Sequence, residues 1–395
     1  MRPRHLFLCL GLYALLRPTC GVEAGSAAAI PPGSDLISQL PEDLEKELRE
    51  LIEHPWKLSG SAVASLGYRE NPELSSFKAK GRAFAGGELE GFAWRLPRKG
   101  WESILMVNGS FKRFFDPTAD TAWEHLWFMH GEERWTAASG VRLSASTQLF
   151  FQQQVVDISA TEASRVVLPV QVYGGIANLS ARFPLPLGLT VETIAGAQRN
   201  DFRDIAEDNT EPKALLKLER KFGSSWLLEL TGELRRRDYA ERTQSTLGGR
   251  SLPGTHLRLA QRAAQAKAAY TTEGSRGKWS SSLVLRGSAY RDQASGFFDY
   301  DQTLATVSTT WSKGSWELSL EASASHYRYL TQTVGAGLNP DARRRDDLSY
   351  TLKAERGWGE HWKLGAELTF ERCRTNLENS NYQDSVYQIV LKREF

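Results

Sequence analysis

From Trp56 onward the hydrophobic residues alternate with polar ones at a period of two. In the stretch 226–237, Trp226, Leu228, Leu230, Gly232 and Leu234 share one face, while Glu229, Thr231, Glu233, Arg235 and Arg237 share the other. The same division recurs with Trp316, Leu318, Leu320, Ala322 and Ala324 against Glu317, Ser319, Glu321 and Ser323. It returns with Trp362, Leu364, Ala366, Leu368 and Phe370 against Lys363, Gly365, Glu367, Thr369 and Glu371. Strands with one oily and one ionic face can bury the oily side in a soluble β-core. They can also close into a barrel that is apolar outside and polar inside.

About sixteen such segments fit between residues 57 and 395, and fourteen or eighteen remain open. Segments 212–222 and 346–356 are short, and 257–271 is alanine-rich enough to pass by itself for a helix. Tight connections (97–100, 184–188, 222–225, 312–314, 357–360) alternate with longer ones (157–164, 201–211, 240–255, 331–345, 375–383). That alternation predicts an all-β, up-and-down antiparallel transmembrane barrel, its amino terminus on the side of the tight turns. Trp56, Trp101, Trp135, Trp226, Trp279, Trp316 and Trp362 all stand at or beside the start of an odd-numbered segment. Seven tryptophans at one end of separate strands predict an aromatic girdle at the headgroup level of one leaflet.

The segment before the barrel has a different period. Leu44, Leu48, Leu51 and Ile52 follow the 3.6-residue spacing of a helix, opened by Pro41-Glu42-Asp43 and stopped by Pro55. Residues 25–54 carry Asp35, Glu42, Asp43, Glu45, Glu47, Glu50 and Glu53 against Lys46 and Arg49. Residues 25–55 therefore read as a linker and one acidic amphipathic helix, either a cap or a plug at the mouth of a basic barrel. Ahead of it, Arg2 and Arg4 precede the apolar run 6–16, which is too short to span a bilayer as a helix. Residues 1–24 thus read as a signal peptide with cleavage near residues 22–24, and 56–395 as the barrel. The bulky Leu16-Arg17-Pro18-Thr19 before Cys20 is a poor match to a lipoprotein site.

Composition removes other classes. A hydrophobic fraction of 41% is too low for a bundle of membrane helices, and 49 basic against 47 acidic residues leave no nucleic-acid footprint. Of the three cysteines only Cys373 lies in the body of the chain, so neither a disulfide framework nor a cysteine metal cluster is expected. No Gly-x-Ser-x-Gly elbow, Walker loop or HExxH occurs. His125 and His130 are five apart, hence on opposite faces of a strand, and only His256 and His326 stand near the outer ends of their strands as candidates for rim chemistry. The expectation is a protein that is not an enzyme and needs no cofactor.

The chain ends in a strand with Tyr387, Ile389, Leu391 and Phe395 on one face. This resembles the terminal strand of Gram-negative outer-membrane β-barrels, whose last Phe and alternate apolar residues are read by the barrel-assembly machinery. Arg393 stands where that pattern usually has an aromatic or apolar residue. The run from Asn376 to Tyr382 with the final strand is similar to the ending of porin-like barrels. More distantly it is similar to the barrel of surface-lipoprotein assembly modifiers. The resemblance implies an outer-membrane address, contact with outer-membrane lipid, and a homotrimer, the common state of sixteen-stranded porins. The lumen is then expected to be lined by Glu229, Glu233, Arg235, Arg237, Arg286, Glu317, Glu321, Lys353, Lys363, Glu367 and Glu371. A mixed-sign lining of this kind suits passive diffusion of small hydrophilic solutes. The alternative is an anchor or secretion barrel for a surface or periplasmic partner protein.

Overall fold

The computed structural model describes residues 55–395 apart from 78, 116–121, 158–166, 204–206, 336–338 and 378. The expected signal peptide and acidic helix lie outside the described residues. Sixteen strands follow one another: β1 (Trp56–Arg69), β2 (Arg82–Arg98), β3 (Trp101–Phe114), β4 (Trp123–Thr136), β5 (Arg142–Asp157), β6 (Val167–Pro184), β7 (Leu189–Arg203) and β8 (Asn209–Phe222). They continue as β9 (Trp226–Tyr239), β10 (Arg258–Gly274), β11 (Gly277–Asp292), β12 (Tyr300–Lys313), β13 (Trp316–Val334), β14 (Asp341–Trp358), β15 (Trp362–Thr375) and β16 (Tyr382–Glu394). Each strand pairs with its neighbours in the chain, and β1 pairs antiparallel with β16, so the sheet has no edge.

The alternation of connections is as the turn residues require. Strands β2 and β3 are joined by 99–100 alone, where Lys99 (φ 53°) and Gly100 (φ 84°) both take the left-handed conformation of a type I′ turn. Turns at 223–225, 275–276, 314–315 and 359–361, of two or three residues, lie at the same rim, whereas 70–81, 240–257 and 293–299 project from the other. Two segments are longer than their hydrophobic pattern suggests. β8 begins at Asn209, and β14 begins at Asp341 because Arg343, Arg344 and Arg345 continue the ladder with charge on both faces. Alanine-rich β10 is a strand of 17 residues, hydrogen-bonded on both sides from Leu259 to Tyr270. Its helix propensity is overridden by two flanking strands that need partners.

The closing ladder extends to Phe395. The backbone N–H and C=O of Phe395 exchange hydrogen bonds with Gly60 at 3.0 and 2.9 Å, and the register then runs from Ser61 opposite Glu394 to Arg69 opposite Val386. Tyr387, Ile389 and Leu391 point outward and are exposed, as is Phe395. Arg393 also points outward and lies over the Trp362 ring at 5.5 Å, so its charge stays at the rim while its stem covers apolar surface.

Candidate functional site

The two faces of the wall are chemically opposite. Leu228, Leu230, Leu234, Leu283, Leu285 and Leu364 are exposed on the outside, with Leu230 57% accessible, while their sequence neighbours Glu229, Glu233 and Arg286 turn inward. Leucines exposed in continuous rows are tolerable only in contact with hydrocarbon. Trp56, Trp101, Trp226, Trp279, Trp316 and Trp362 are exposed at the short-turn rim. Trp135 differs from expectation in detail: it is half-buried near the end of β4, directly opposite Trp101, and so belongs to the same rim. The pattern missed Trp311 and Trp358, which end strands β12 and β14 opposite Trp279 and Trp362. Ten residues above the rim at about 3.3 Å per residue and a tilt of about 40° is about 25 Å, the height of an apolar band. The exposed arginines Arg236 and Arg258 stand at or above that level.

The lumen is lined by ionic ladders. In the long-loop half, Glu211 on β8 accepts hydrogen bonds from Arg235 Nη1 and Arg237 Nε, both at 2.5 Å, and is 1% exposed. Glu233 pairs with Arg235 and, across β10, with Arg286 at 2.7 Å. A contact that skips a strand is possible only on the concave side of the sheet, which fixes these side chains as interior. Lower down, Lys217 Nζ lies 3.0 Å from Glu229, Lys353 2.9 Å from Glu355, and Lys363 2.9 Å from Glu394. Glu317, Glu321, Glu367 and Glu371 also face inward, and no cation stands within 4 Å of them among the described residues.

Period two could not reveal which partners meet, and two interior groups escaped it. Arg69 joins Asp384 at 2.6 Å and Glu124 at 2.7 Å, bringing β1, β16 and β4 together across long sequence separations. Beside it, Phe84 and Phe114 are buried with Val386, their rings 5.8 Å apart edge to face. Phe84 has room because Gly67 lies beneath it: a Cβ there would come within 2.5 Å of the ring and of the Tyr387 carbonyl. Phe150 covers Gly174 in the same way. Buried aromatic residues thus stand on the inner face of β2, β3 and β5. Along β11–β14 the inner face mixes short hydroxyl side chains, Ser282, Thr306, Ser308, Ser323, Ser349 and Thr351, with Tyr327, the buried Tyr329 and the charged Arg286, Glu317, Glu321 and Lys353.

The histidines divide between the faces as their spacing predicts. His130 faces inward, 3.6 Å from Glu132, whereas His125 lies outside, stacked on Trp123. His326 lies outside, near the long-loop end, with Nδ1 2.7 Å from Asp346. His256 lies on the connection 240–257, where its carbonyl accepts a hydrogen bond from Gln244. Among the described residues no group of three His, Cys, Asp or Glu side chains is placed to hold a metal ion. Buried Cys373 meets the Ser380 carbonyl.

No family model matches the chain, and no curated relative does. Among solved structures it is similar to the anion-selective porin from Comamonas acidovorans, with 10% identity and a TM-score of 0.46, covering 86% of this chain and 99% of that one. Pseudomonas aeruginosa OpdK, solved with vanillate, shares 11% identity with a TM-score of 0.43, covering 85% and 99%. CdiB from Acinetobacter baumannii shares 10% with a TM-score of 0.46, covering 85% of this chain and 60% of that one.

Proposed function

We propose that the chain is an outer-membrane channel through which small hydrophilic solutes diffuse passively, without a cofactor. The observation that supports it best is an inner face of charged and hydroxyl side chains inside a closed sixteen-strand sheet. Short hydroxyls on β11–β14 stand there beside ionic ladders, with Phe84, Phe114 and the Arg69–Asp384–Glu124 cluster on the inner face near the β1–β16 seam. A hydroxyl-lined passage flanked by fixed charges offers hydrogen bonds to a hydrated solute without holding it in one place. The inward carboxylates Glu317, Glu321, Glu367 and Glu371 lie beside this passage and would bias it toward cations and neutral polar molecules. Export through residues 1–24 and recognition of the terminal strand by the barrel-assembly machinery belong to the same reading.

The test is single-channel conductance of the mature chain refolded and inserted into a planar bilayer. Stable steps on the order of a nanosiemens, with cation preference reduced in Glu317→Gln/Glu321→Gln, are expected for a water-filled sixteen-stranded pore. Silent insertion of a folded, heat-modifiable barrel would refute the channel and leave anchoring or export of a partner protein.

A further inference from the structure

The outside of the barrel is not the same all round at the long-loop end. On β1 and β3–β6 the outward residues at this level are aromatic: Tyr68, Phe111, Trp123, Phe151 and Tyr173. Phe151 and Tyr173 have ring centroids 4.8 Å apart. On β10–β15 the same level is basic, with Arg262, Arg328, Arg344, Arg372 and Arg374 outward alongside His326. Asp301 neutralises Arg291 and Arg328, at 2.6 and 3.1 Å, and Asp346 takes His326. Arg372 and Arg374 face no carboxylate within 4 Å among the described residues.

A groove of about 960 Å³ leads down from these two arginines. Its wall is one continuous ladder row: Leu230 stands opposite Ala266, then come Leu285, Ala305, Ala324, Leu348 and Arg372 on successive strands. Leu230 and Leu285 are more than half exposed on the lipid side, and pairing preserves the face, so the whole row points outward. The adjoining row carries Gly232, Ala264, Gly287 and Thr303 before His326 and Asp346. Small residues thus hollow the outer wall between flanking leucines. At about 4.8 Å per strand the row covers about 29 Å from β9 to β15. Because strands tilt by about 40°, it climbs about 19 Å, from mid-membrane to headgroup height.

We infer that this face is a docking site for an acyl lipid with a phosphate-bearing headgroup, its chain in the groove of small residues and its phosphate between Arg372 and Arg374. Charge decides the occupant. Two guanidinium groups whose neighbouring carboxylate, Asp346 opposite Arg374, is taken by His326 stand at the height where headgroups lie and match phosphate in charge and fork geometry. The Thr303 hydroxyl adds a donor at the groove's upper end. The site is on the outer wall and stands whether or not the lumen conducts.

The test is native mass spectrometry of the refolded chain in detergent, with dioleoyl phosphatidic acid, dioleoylglycerol and inorganic phosphate as separate probes. Phosphatidic acid is expected to remain bound where dioleoylglycerol does not, and inorganic phosphate is expected not to displace it. Occupancy should fall about tenfold in Arg372→Gln/Arg374→Gln. It should fall likewise in Ala266→Phe/Ala305→Phe, which fills the groove and keeps both charges. Arg113→Gln/Arg199→Gln, exposed arginines on the other side, should bind as the parent does. Equal binding of dioleoylglycerol, displacement by inorganic phosphate, or equal loss in the Arg113/Arg199 variant would each overturn the inference. A heat-modifiable gel shift confirms that each variant is folded, and the groove-filling pair carries the test should the arginine pair fail to fold.

Discussion

Replacing Leu230 by arginine is the sharpest test of which face meets lipid. Leu230 is four residues along β9 from Trp226, which at about 3.3 Å per residue and a tilt of about 40° puts it about 10 Å above the rim. Half of an apolar band about 25 Å tall is about 12 Å, so the side chain sits close to the midplane. Its ladder partners are Leu218 and Ala266, neither of which can pair with a charge. An arginine there is expected to cost about 2–4 kcal/mol. The next residue, Thr231, points into the lumen between Glu229 and Glu233 and opposite Lys217, so Thr231→Arg gains two anionic neighbours against one like charge and should change stability by less than about 1 kcal/mol. A shift of one position therefore separates two variants of similar composition by at least about 1 kcal/mol, about fivefold or more in the folding equilibrium. Equilibrium unfolding from phosphatidylcholine vesicles in guanidinium, followed by tryptophan fluorescence, measures both. If the two lie within 1 kcal/mol of each other, or if Thr231→Arg is the worse, the faces have been assigned the wrong way round.

Glu211→Gln removes the carboxylate charge that Arg235 and Arg237 share. It should cost about 3 kcal/mol, the low end for a broken buried pair, because Arg235 keeps Glu233 and Arg237 is partly exposed; the guanidinium midpoint reports it. Gly67→Ala puts a methyl within 2.5 Å of the Tyr387 carbonyl and should destabilise the β1–β16 seam by about 1–3 kcal/mol, seen as loss of heat-modifiable migration at a lower temperature. Phe84→Ala should cost about 3–5 kcal/mol and enlarge the conductance step, since it removes a buried ring from the inner face; an unchanged step would mean that this cluster does not restrict the passage. On the loop 293–299, burial pushes the Asp299 carboxyl above its ordinary value. The folded loop therefore binds the proton more tightly than the unfolded chain, and this contribution is present in acid and lost as pH rises from the ordinary carboxylate value through the raised one. Amide exchange corrected for intrinsic rates should show more protection of 293–299 on the acid side of that window, and Asp299→Asn should flatten the dependence.

Much of the barrel is legible residue by residue. A period of two with leucine on one side and charge on the other specifies which side chains meet lipid, because hydrocarbon tolerates no unpaired charge and the closed sheet leaves no other place for the leucines. Tryptophans at strand starts and the alternation of tight and long connections specify the rims. Pattern is silent where polarity is the same on both faces, as in the Asp341–Arg345 opening of β14, and where a propensity is local, as in the alanines of β10.

Tertiary structure alone decided who meets whom. Arg69 finds Glu124 and Asp384, and Arg286 finds Glu233 across an intervening strand, because register and closure, which period two leaves free, bring them within bridging distance. The same closure turned scattered glycines and alanines into one outer groove and gathered Phe84, Phe114 and Val386 on one side of the lumen. The physical reason is that a strand's own residues determine its faces, whereas its neighbours determine its height on the wall, and every contact between distant residues depends on that height.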